Sequence, residues 1–263
     1  MSTFAEDVTS GRIGARLAEI AQAAAEVILP YWRAGGAVTI KADESPVTEA
    51  DHAAEALILE RLAALYPGVA VVAEEQSAAG LSPEAVGEAF FLVDPLDGTR
   101  AFVAGREFFV VSIGLAVAGR AAAGALAAPA LGVVWHTGEG GAFRRRFDET
   151  EAAAIQARPL TPGQGAALVS HTLTPEQAER IAASVGCAAW RGMDSAVKFG
   201  LIAEGAYDAY PRPGRTMEWD TCAGEAVLTA AGGRVLDEAG RPMRYGRAAD
   251  GWENPGFLAE GVR

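Results

Sequence analysis

The sequence has little cysteine and no long uninterrupted hydrophobic segment. Its two cysteines, Cys187 and Cys222, lack the spacing of metal ligands, so we expect small buried thiols without a disulfide rather than a cysteine-based metal site. The longest apolar region, residues 115–134, is interrupted by Arg120 and Pro129. This pattern predicts two strands joined by a turn, because a membrane-spanning helix needs about 20 consecutive apolar residues.

Positive charge is also scarce. The 263 residues include 22 Lys and Arg against 34 Asp and Glu, and the formal net charge of −12 argues against binding to nucleic-acid polymers or acidic membranes through bulk electrostatics. Glu6 and Asp7 precede any apolar run, so the N-terminus lacks the basic start and apolar core of a signal peptide. We expect a cytoplasmic protein, and this composition leaves peripheral association with the inner membrane open.

The most informative stretch is Asp94-Pro95-Leu96-Asp97-Gly98-Thr99, which follows the apolar run at residues 89–93. Acidic residues, Pro and Gly are depleted in strands, so the pattern predicts a buried strand that ends in an acidic loop. Two carboxylates this close raise each other's pKa unless a cation lies between them, and oxygen ligands of this kind suit Mg²⁺. The alternative is a solvated turn that caps the strand, and this stretch alone does not distinguish the two.

Two further stretches also place acids at the ends of predicted elements. Glu74 and Glu75 follow the apolar run at residues 69–73, and Trp219-Asp220-Thr221 opens an Ala-rich helix. Taken in order, the three stretches resemble the signatures of the inositol monophosphatase superfamily. Its members are lithium-sensitive, Mg²⁺-dependent phosphomonoesterases. The resemblance covers nearly the whole chain. It implies the layered αβαβα sandwich that this family shares with fructose-1,6-bisphosphatase.

Hydrophobic periodicity assigns the remaining elements. Helical spacing predicts a helix over about residues 11–32, and Thr48 with Asp51 forms a capping-box-like start for a second helix that ends at residues 67–68. The apolar face predicted for this second helix consists of Leu57, Ile58, Leu62 and Leu65. Strands are predicted at 69–73, 89–93, 108–118, 121–127 and 131–135, with a hairpin turn at 138–141. The second half alternates: strand 166–170, helix 175–185, strand 187–190, helix 195–204, strand 206–210, helix 220–231 and strand 234–236.

A charge-dense break at residues 144–151 is the predicted boundary within one compact unit. Residues 1–147 form an α+β half that carries most metal ligands, and residues 148–263 form an α/β half that carries Asp220 and the residues for substrate specificity. The arginine triplet at 144–146 is interpreted as a solvated edge.

The family's metal ligands carry over to positions that match its motifs. The resemblance implies that Glu74, Asp94 and the Leu96 carbonyl hold the Mg²⁺ ion that activates a water. It also implies that Asp94, Asp97 and Asp220 hold the ion that stabilises the leaving oxygen. We expect two or three Mg²⁺ ions in total.

The resemblance also implies catalytic roles. Glu74 serves the water-activating ion, Thr99 orients the water through its hydroxyl, and Gly98 lets the phosphate approach the backbone amides. Residues 45–51 match an upstream family element in which Asp51 pairs with Thr99 and accepts a proton; a helix-capping role for Asp51 is compatible with this. Glu75 is either a ligand or a hydrogen-bond partner of one.

A finer resemblance concerns the substrate. Residues 198–205, 210–212 and 254–257 are similar to the 3′(2′),5′-bisphosphate nucleotidase branch of the family. The substrate-binding residues implied are Leu96, Asp97, Gly98, Thr99, Ser195, Lys198, Arg212 and Asp220. Lys198 and Arg212 are the candidates for the phosphate that stays on the product, the alternative for each being a solvated surface cation.

This chain departs from the branch at two positions. It carries Asp194 and Ala196 where the branch usually has Gly and Ser, which puts contacts to the nucleobase or ribose in doubt. His171, in a predicted loop, is interpreted as incidental.

The expected function is Mg²⁺-dependent hydrolysis of the 3′-phosphate of adenosine 3′,5′-bisphosphate, a by-product of sulfur assimilation, to AMP and phosphate. One alternative is another small phosphomonoesterase of the superfamily, acting on inositol phosphate, histidinol phosphate or a sugar bisphosphate. An alternative of another class is a non-catalytic sensor of a phosphonucleotide or metal. The expected partner is a small phosphorylated molecule, and the protein is expected to be a monomer or homodimer.

Overall fold

Two β-sheets of seven and five strands organise the structure, a computed structural model that describes residues 3–35, 38–40 and 46–261. The helices are α1 (Phe4–Thr9), α2 (Arg12–Ala34), α3 (Glu49–Leu65), α4 (Glu74–Ala78), α5 (Thr99–Val103), α6 (Pro175–Ser184), α7 (Val197–Ala203) and α8 (Glu218–Ala230), with a 3₁₀ turn at Ala248–Asp250.

The strands follow the chain from the first half into the second. They are β1 (Val38–Ile40), β2 (Pro46–Thr48), β3 (Ala70–Ala73), β4 (Ala89–Asp97), β5 (Val110–Val117), β6 (Arg120–Ala128), β7 (Val133–Gly138), β8 (Gly141–Arg146), β9 (Ala153–Ile155), β10 (Gly165–Ser170), β11 (Cys187–Met193), β12 (Ala209–Arg212), β13 (Thr216–Met217), β14 (Arg234–Asp237), β15 (Glu253–Asn254) and β16 (Phe257–Glu260). The first sheet has the order β3-β4-β5-β6-β7-β8-β9 and the second β11-β10-β12-β16-β14; β1-β2 and β13-β15 form short pairs.

The elements stack in five layers. Helices α2 and α3 cover one face of the first sheet, α7 and α8 lie between the two sheets, and α6 covers the outer face of the second sheet. The first sheet is apolar on both faces, because successive side chains of a strand point to opposite sides. In β4, Phe91 and Val93 join the core under α2 and α3, whereas Phe90 and Leu92 join the core around α8. The observed order confirms the predicted αβαβα sandwich.

Parallel pairing of β3 with β4 aligns two acids at one edge of the first sheet. Ala73 is the register partner of Val93, so the residues that follow them lie side by side, Glu74 just after the end of β3 and Asp94 within β4. The β4–β5 register then shifts between Asp94 and Asp97, around Pro95, which has no amide hydrogen for the ladder. This bulge bends the acidic motif away from the regular strand.

Helix α8 carries the third acid, Asp220, to the same edge. It lies directly on β5 and β6, and a Cβ atom at Gly124 would stand 2.6 Å from the Cα atom of Ala223. Only glycine at this position allows so short a distance between helix and sheet. This close contact sets the distance between α8 and the sheet, and so the position of Asp220 at the start of the helix.

Several boundaries differ from the predictions. Leu65 is 42 % exposed, because the inward face of α3 consists of Ala50, Ala54, Ile58 and Leu62, and the small alanines let α3 pack closely against α2.

The first sheet extends past residue 147, because β9 pairs with β8. Of the arginine triplet, only Arg144 is also paired with β9, and it forms an ion pair with Glu204 at 3.1 Å. Arg146 lies beyond the paired residues of β9 with its side chain 50 % exposed, as predicted for a solvated edge.

Other predictions are confirmed. Cys187 and Cys222 are buried free thiols, and the hairpin at residues 138–141 joins β7 to β8. Several elements were not predicted, among them α1, α4, α5, β9 and β16, the last of which pairs antiparallel with both β12 and β14 inside the second sheet. Within the described ranges, no helix combines the length and apolar character needed to cross a membrane.

Candidate active site

A cleft of about 810 Å³ opens where β4, α5, α7, β12 and α8 converge. It brings together the predicted site residues from both halves of the chain. From the first half these are Glu74, Asp94, Leu96, Asp97, Gly98 and Thr99, and from the second half Ser195, Lys198, Arg212 and Asp220. Asp51 reaches this group through a hydrogen bond from Thr99.

Three carboxylates form the acidic centre of the cleft. One oxygen each of Asp94, Asp97 and Asp220 lies within 4.8 Å of the others. Backbone amides hold the three groups in place: Asp94 accepts from the Leu96 amide at 2.9 Å, Asp220 accepts from the Met217 amide at 2.8 Å, and Asp97 accepts from the Ala196 amide. The cluster is therefore oriented by main-chain donors rather than by cationic side chains.

This arrangement is electrostatically unfavourable by itself. Burial, followed by the negative charges of Glu74, Asp97 and Asp220, raises the pKa of Asp94 well above its usual range. Burial and the charge of Asp97 do the same to the pKa of Asp220. Burial raises the pKa of Asp97 to about 6, partly offset by the hydrogen bond from the Ala196 amide. Clustered carboxylates with raised pKa values, of which Asp94 is buried and Asp97 and Asp220 are partly buried, are the donor set that a hard divalent cation would stabilise.

Glu74 completes the acidic side of the cleft. It opens α4 at the end of β3, directly beside Asp94, and its charge raises the pKa of all three clustered aspartates. The parallel pairing of β3 and β4 puts Glu74 there, which explains how an acid from a separate predicted strand joins the motif at residues 94–99.

Asp51 and Thr99 form a connected pair. One Asp51 oxygen accepts from the Thr48 amide at 2.8 Å and from the Thr48 hydroxyl at 2.6 Å, which confirms the predicted capping box of α3. The other oxygen faces the Thr99 hydroxyl at 3.4 Å, while that hydroxyl lies 3.0 Å from the Leu96 carbonyl. A hydroxyl has one hydrogen, so it donates to Leu96 or to Asp51 at any instant. Asp51 thus caps a helix and contacts Thr99 at the same time.

Gly98 is required by the backbone as well as by access to the cleft. Its φ of 95° lies in the left-handed region, and a Cβ atom there would stand 3.0 Å from the Phe108 carbonyl oxygen and 3.0 Å from the Ser195 Cβ. From the sequence, Gly98 was predicted only to let a phosphate approach the backbone amides. The structure adds that Gly98 lets the turn between β4 and α5 fit against the loop before α7.

Two cations line the opposite wall. Lys198 is only 3 % exposed, which contradicts the alternative that it is a solvated surface residue. Its ammonium donates to the carbonyls of Met193 at 3.2 Å and Ser195 at 2.6 Å and lies 4.6 Å from the centre of the Tyr210 ring. Burial lowers its pKa to about 8. Arg212, at the end of β12, presents a buried Nε atom without a hydrogen-bond partner among residues 3–35, 38–40 and 46–261.

The loop before α7 contains the departures noted in the sequence. Ser195 adopts a left-handed φ of 56° and its hydroxyl accepts from the Val197 amide at 3.2 Å. Asp194 pairs with Arg106 at 3.1 Å and contacts His171, so His171 lies on the cleft rather than in a remote loop. Ala196 supplies the amide that holds Asp97, a contact that needs no side chain at this position.

Sequence reasoning missed two residues. Tyr210 supports Lys198 with its ring, and Glu55 is a buried acid whose pKa is raised to about 7, mainly by burial. The sequence contained a signal for the burial of Glu55. It lies one helical turn after Asp51, on the same face of α3 as the inward-facing Ala54 and Ile58. No sequence signal indicated the ring of Tyr210 under Lys198.

Comparison with known proteins places this geometry in a family. The model of the inositol monophosphatase family matches residues 13–261. The 3′(2′),5′-bisphosphate nucleotidase CysQ of Salmonella typhimurium is 36 % identical over 217 residues, which cover 82 % of this chain and 86 % of that protein. A structure of CysQ from Bacteroides thetaiotaomicron, a bacterial member of the same family, matches with a TM-score of 0.74 at 28 % identity, covering 99 % of this chain and 98 % of that one. The structure of inositol monophosphatase from Anabaena matches with a TM-score of 0.72 at 26 % identity, covering 94 % and 89 %. Motifs, fold and relatives agree, and the chain belongs to the inositol monophosphatase family.

Proposed function

We propose that this protein is a Mg²⁺-dependent phosphatase that removes the 3′-phosphate of adenosine 3′,5′-bisphosphate. Family membership and the close cluster of Asp94, Asp97 and Asp220 support metal-dependent hydrolysis of a phosphate ester. The name of the Salmonella typhimurium relative, a 3′(2′),5′-bisphosphate nucleotidase, supports the substrate class. The observation that carries the proposal is the pairing, in one cleft, of this acidic cluster with two cations.

The acidic residues fit the metal ions that the proposal requires. Asp94, Asp97 and Asp220 would share one ion, and Glu74 with Asp94 and the Leu96 carbonyl would hold another. Bound there, divalent cations would neutralise the phosphoryl oxygens, lower the pKa of the attacking water and stabilise the leaving oxygen.

Asp51 and Thr99 would handle the proton. The Thr99 hydroxyl lies between the Leu96 carbonyl and the carboxylate of Asp51, where it can accept a hydrogen bond from a water while its own hydrogen points to Asp51. Asp51, buried and held on its other side by Thr48, would accept the proton that the water loses.

Lys198 and Arg212 would bind the phosphate that remains on the product. Among the described residues, backbone carbonyls take two of the three ammonium hydrogens of Lys198, which leaves one for a ligand, and the buried Nε of Arg212 on the same cleft has no acceptor. A monophosphate has no group for these donors. A bisphosphate satisfies both ends of the cleft.

Replacing Arg212 by Ala tests the substrate assignment. We expect kcat/KM for adenosine 3′,5′-bisphosphate to fall by about 1.5–3 kcal/mol, or about 10–150-fold, because a hydrogen bond to a charged group is lost. Hydrolysis of inositol 1-phosphate should change little. Arg215→Ala is the matched control, since Arg215 is nearby, 70 % exposed and paired with Glu253 rather than with the cleft. An equal loss on both substrates would assign Arg212 to the fold or to the reacting phosphate.

A phosphate-release screen with Mg²⁺ tests the proposal directly. The substrates are adenosine 3′,5′-bisphosphate, inositol 1-phosphate, histidinol phosphate and a sugar bisphosphate, each with and without EDTA. We expect the nucleotide to have the highest kcat/KM and EDTA to abolish the reaction. A preference for another substrate would contradict the nucleotidase assignment and keep the phosphatase, and binding of the nucleotide without turnover would favour a sensor.

The raised carboxylate pKa values predict that protons compete with Mg²⁺. Burial raises the pKa of Asp97 to about 6, so this group is protonated in the metal-free protein below that pH and must lose its proton to bind an ion. We therefore expect the dissociation constant for Mg²⁺ to increase as the pH falls through about 6, with proton release on binding. Calorimetry in buffers of different ionisation enthalpy measures both quantities. Equal affinity at about pH 5 and about pH 8 would contradict the prediction.

A further inference from the structure

Glu55 is a buried acid that the proposed reaction does not use. It lies on α3 with 5 % of its surface exposed, away from the three clustered aspartates. One of its carboxylate oxygens accepts from the Glu75 amide at 2.8 Å, and the other accepts from the Gln76 amide at 3.0 Å. Both amides belong to the first turn of α4, the short helix that Glu74 opens.

This contact replaces a missing helix cap. The first amides of a helix have no acceptor within the helix, and a side chain at the preceding position usually supplies one. That position in α4 is Ala73, which has no acceptor in its side chain. The carboxylate of Glu55 therefore caps α4 from a neighbouring helix, with one oxygen for each amide.

The same helix also carries Asp51. Asp51 and Glu55 are four residues apart on α3, so they lie on one face, one turn above the other. Asp51 contacts Thr99 at the end of the acidic motif, and Glu55 holds the start of α4. Through these two contacts α3 sets the position of Glu74 relative to the rest of the cleft.

We propose that Glu55 is a positioning residue for the metal site: by capping α4 it holds Glu74 beside Asp94 and so determines the affinity for the cation. This inference rests on the proposed function, because it assumes that Glu74 and Asp94 bind a metal. Glu55 itself is neither in the three-aspartate cluster nor among the residues that line the cleft. Its effect passes through the backbone of residues 74–76.

The variant Glu55→Gln tests the inference with little change in shape. The glutamine oxygen can still accept from one amide, but its NH₂ group then faces the other amide as a second donor. We expect the dissociation constant for Mg²⁺, measured by calorimetry, to rise by about 10–100-fold, the range found when a residue supporting a metal ligand is replaced. Mn²⁺ binding followed by electron paramagnetic resonance should show the same loss. At saturating Mg²⁺, kcat should return close to the wild-type value, because the reacting groups are unchanged.

Asp7→Asn is the matched control. Asp7 is also a buried carboxylate that ties another helix to α3, since it accepts from the hydroxyl of Tyr66, the residue that ends α3, at 3.0 Å. We expect it to lower the unfolding temperature without changing the Mg²⁺ dissociation constant. Glu55→Asp is the second variant at the contact, because it keeps the negative charge but shortens the side chain by one methylene and so withdraws the carboxylate from both amides. It decides whether the contact controls Mg²⁺ affinity if Glu55→Gln does not fold.

The outcomes are distinct. Weaker Mg²⁺ binding in Glu55→Gln or Glu55→Asp, with normal binding in Asp7→Asn, supports the inference. Wild-type affinity in both Glu55 variants, or an equal loss in the Asp7 variant, overturns it and assigns Glu55 to general stability. If the wild-type protein itself binds neither Mg²⁺ nor Mn²⁺, the proposed function fails, and the role of Glu55 fails with it.

Discussion

Replacing Asp94 by asparagine is expected to abolish turnover while making the metal-free protein more stable. Asp94 is central to the acidic cluster, and a metal ion supplies several kcal/mol of transition-state stabilisation, so we expect kcat/KM to fall by about 10³-fold or more. In the absence of metal, the same change removes a buried charge that repels Glu74, Asp97 and Asp220. The free energy of unfolding in EDTA should therefore increase. Urea denaturation and steady-state kinetics measure the two effects.

Asp208 is a buried aspartate whose replacement should have the opposite effects on stability and activity. Asp208 is 4 % exposed and accepts two hydrogen bonds from Arg158, at 2.7 and 2.8 Å, and one from the Ala166 amide, at 2.8 Å. Asp208→Asn should lower stability and leave kcat close to wild type. Near-normal activity in Asp94→Asn would contradict the assignment of Asp94 as a metal ligand. A loss of stability in EDTA would show that its repulsive contacts are outweighed by the charge of Asp94 as acceptor of the hydrogen bond from the Leu96 amide.

Asp51→Asn and Thr99→Ala are expected to separate chemistry from metal binding. If this pair accepts the proton of the attacking water, each change should lower kcat by about 10²–10⁴-fold, the size of a general-base contribution. The Mg²⁺ dissociation constant should barely change, because neither side chain belongs to the acidic cluster. Calorimetry and single-turnover kinetics are the measurements. Equal losses in metal affinity and in rate would mean that the pair supports the structure of the site.

The capping role of Asp51 needs its own control. Glu6 occupies the same place in the capping box of α1, where it accepts from the Thr3 amide at 2.8 Å, outside the cleft. Glu6→Gln therefore changes an acid to an amide in the same local structure. It should leave kcat unchanged, and a large loss of activity in this variant would show that the assay responds to helix capping rather than to proton transfer.

Local patterns explain what could be predicted from sequence. The capping box of Thr48 and Asp51 depends on residues three apart, and the motif at residues 94–99 depends on residues within one turn. Strand β4 was recognised from its apolar run at residues 89–93, although the strand continues through Pro95 to Asp97 with a shift in its register. Each of these signals is contained in a few consecutive residues, and each was found.

Long-range contacts explain what was missed. Glu55 acquires its role only because α4 lies against α3, 20 residues further along the chain. Lys198 is buried because the ring of Tyr210 and the carbonyls of Met193 and Ser195 surround it, which no spacing indicates. The small residues of α3 likewise concealed its inward face, since Ala50 and Ala54 carry a weaker hydrophobic signal than Leu65.

The position of β16 in the second sheet has a consequence for the order in which a growing chain folds. The first sheet uses only residues 70–155, so it can form while later residues are still being synthesised. In the second sheet β12 and β14 are joined only through β16, and Phe257 of β16 stacks on Phe199 and contacts the ring of Tyr210. During synthesis the strand that carries Asp94 is therefore paired early, whereas the wall that supports Lys198 is completed only when β16 leaves the ribosome.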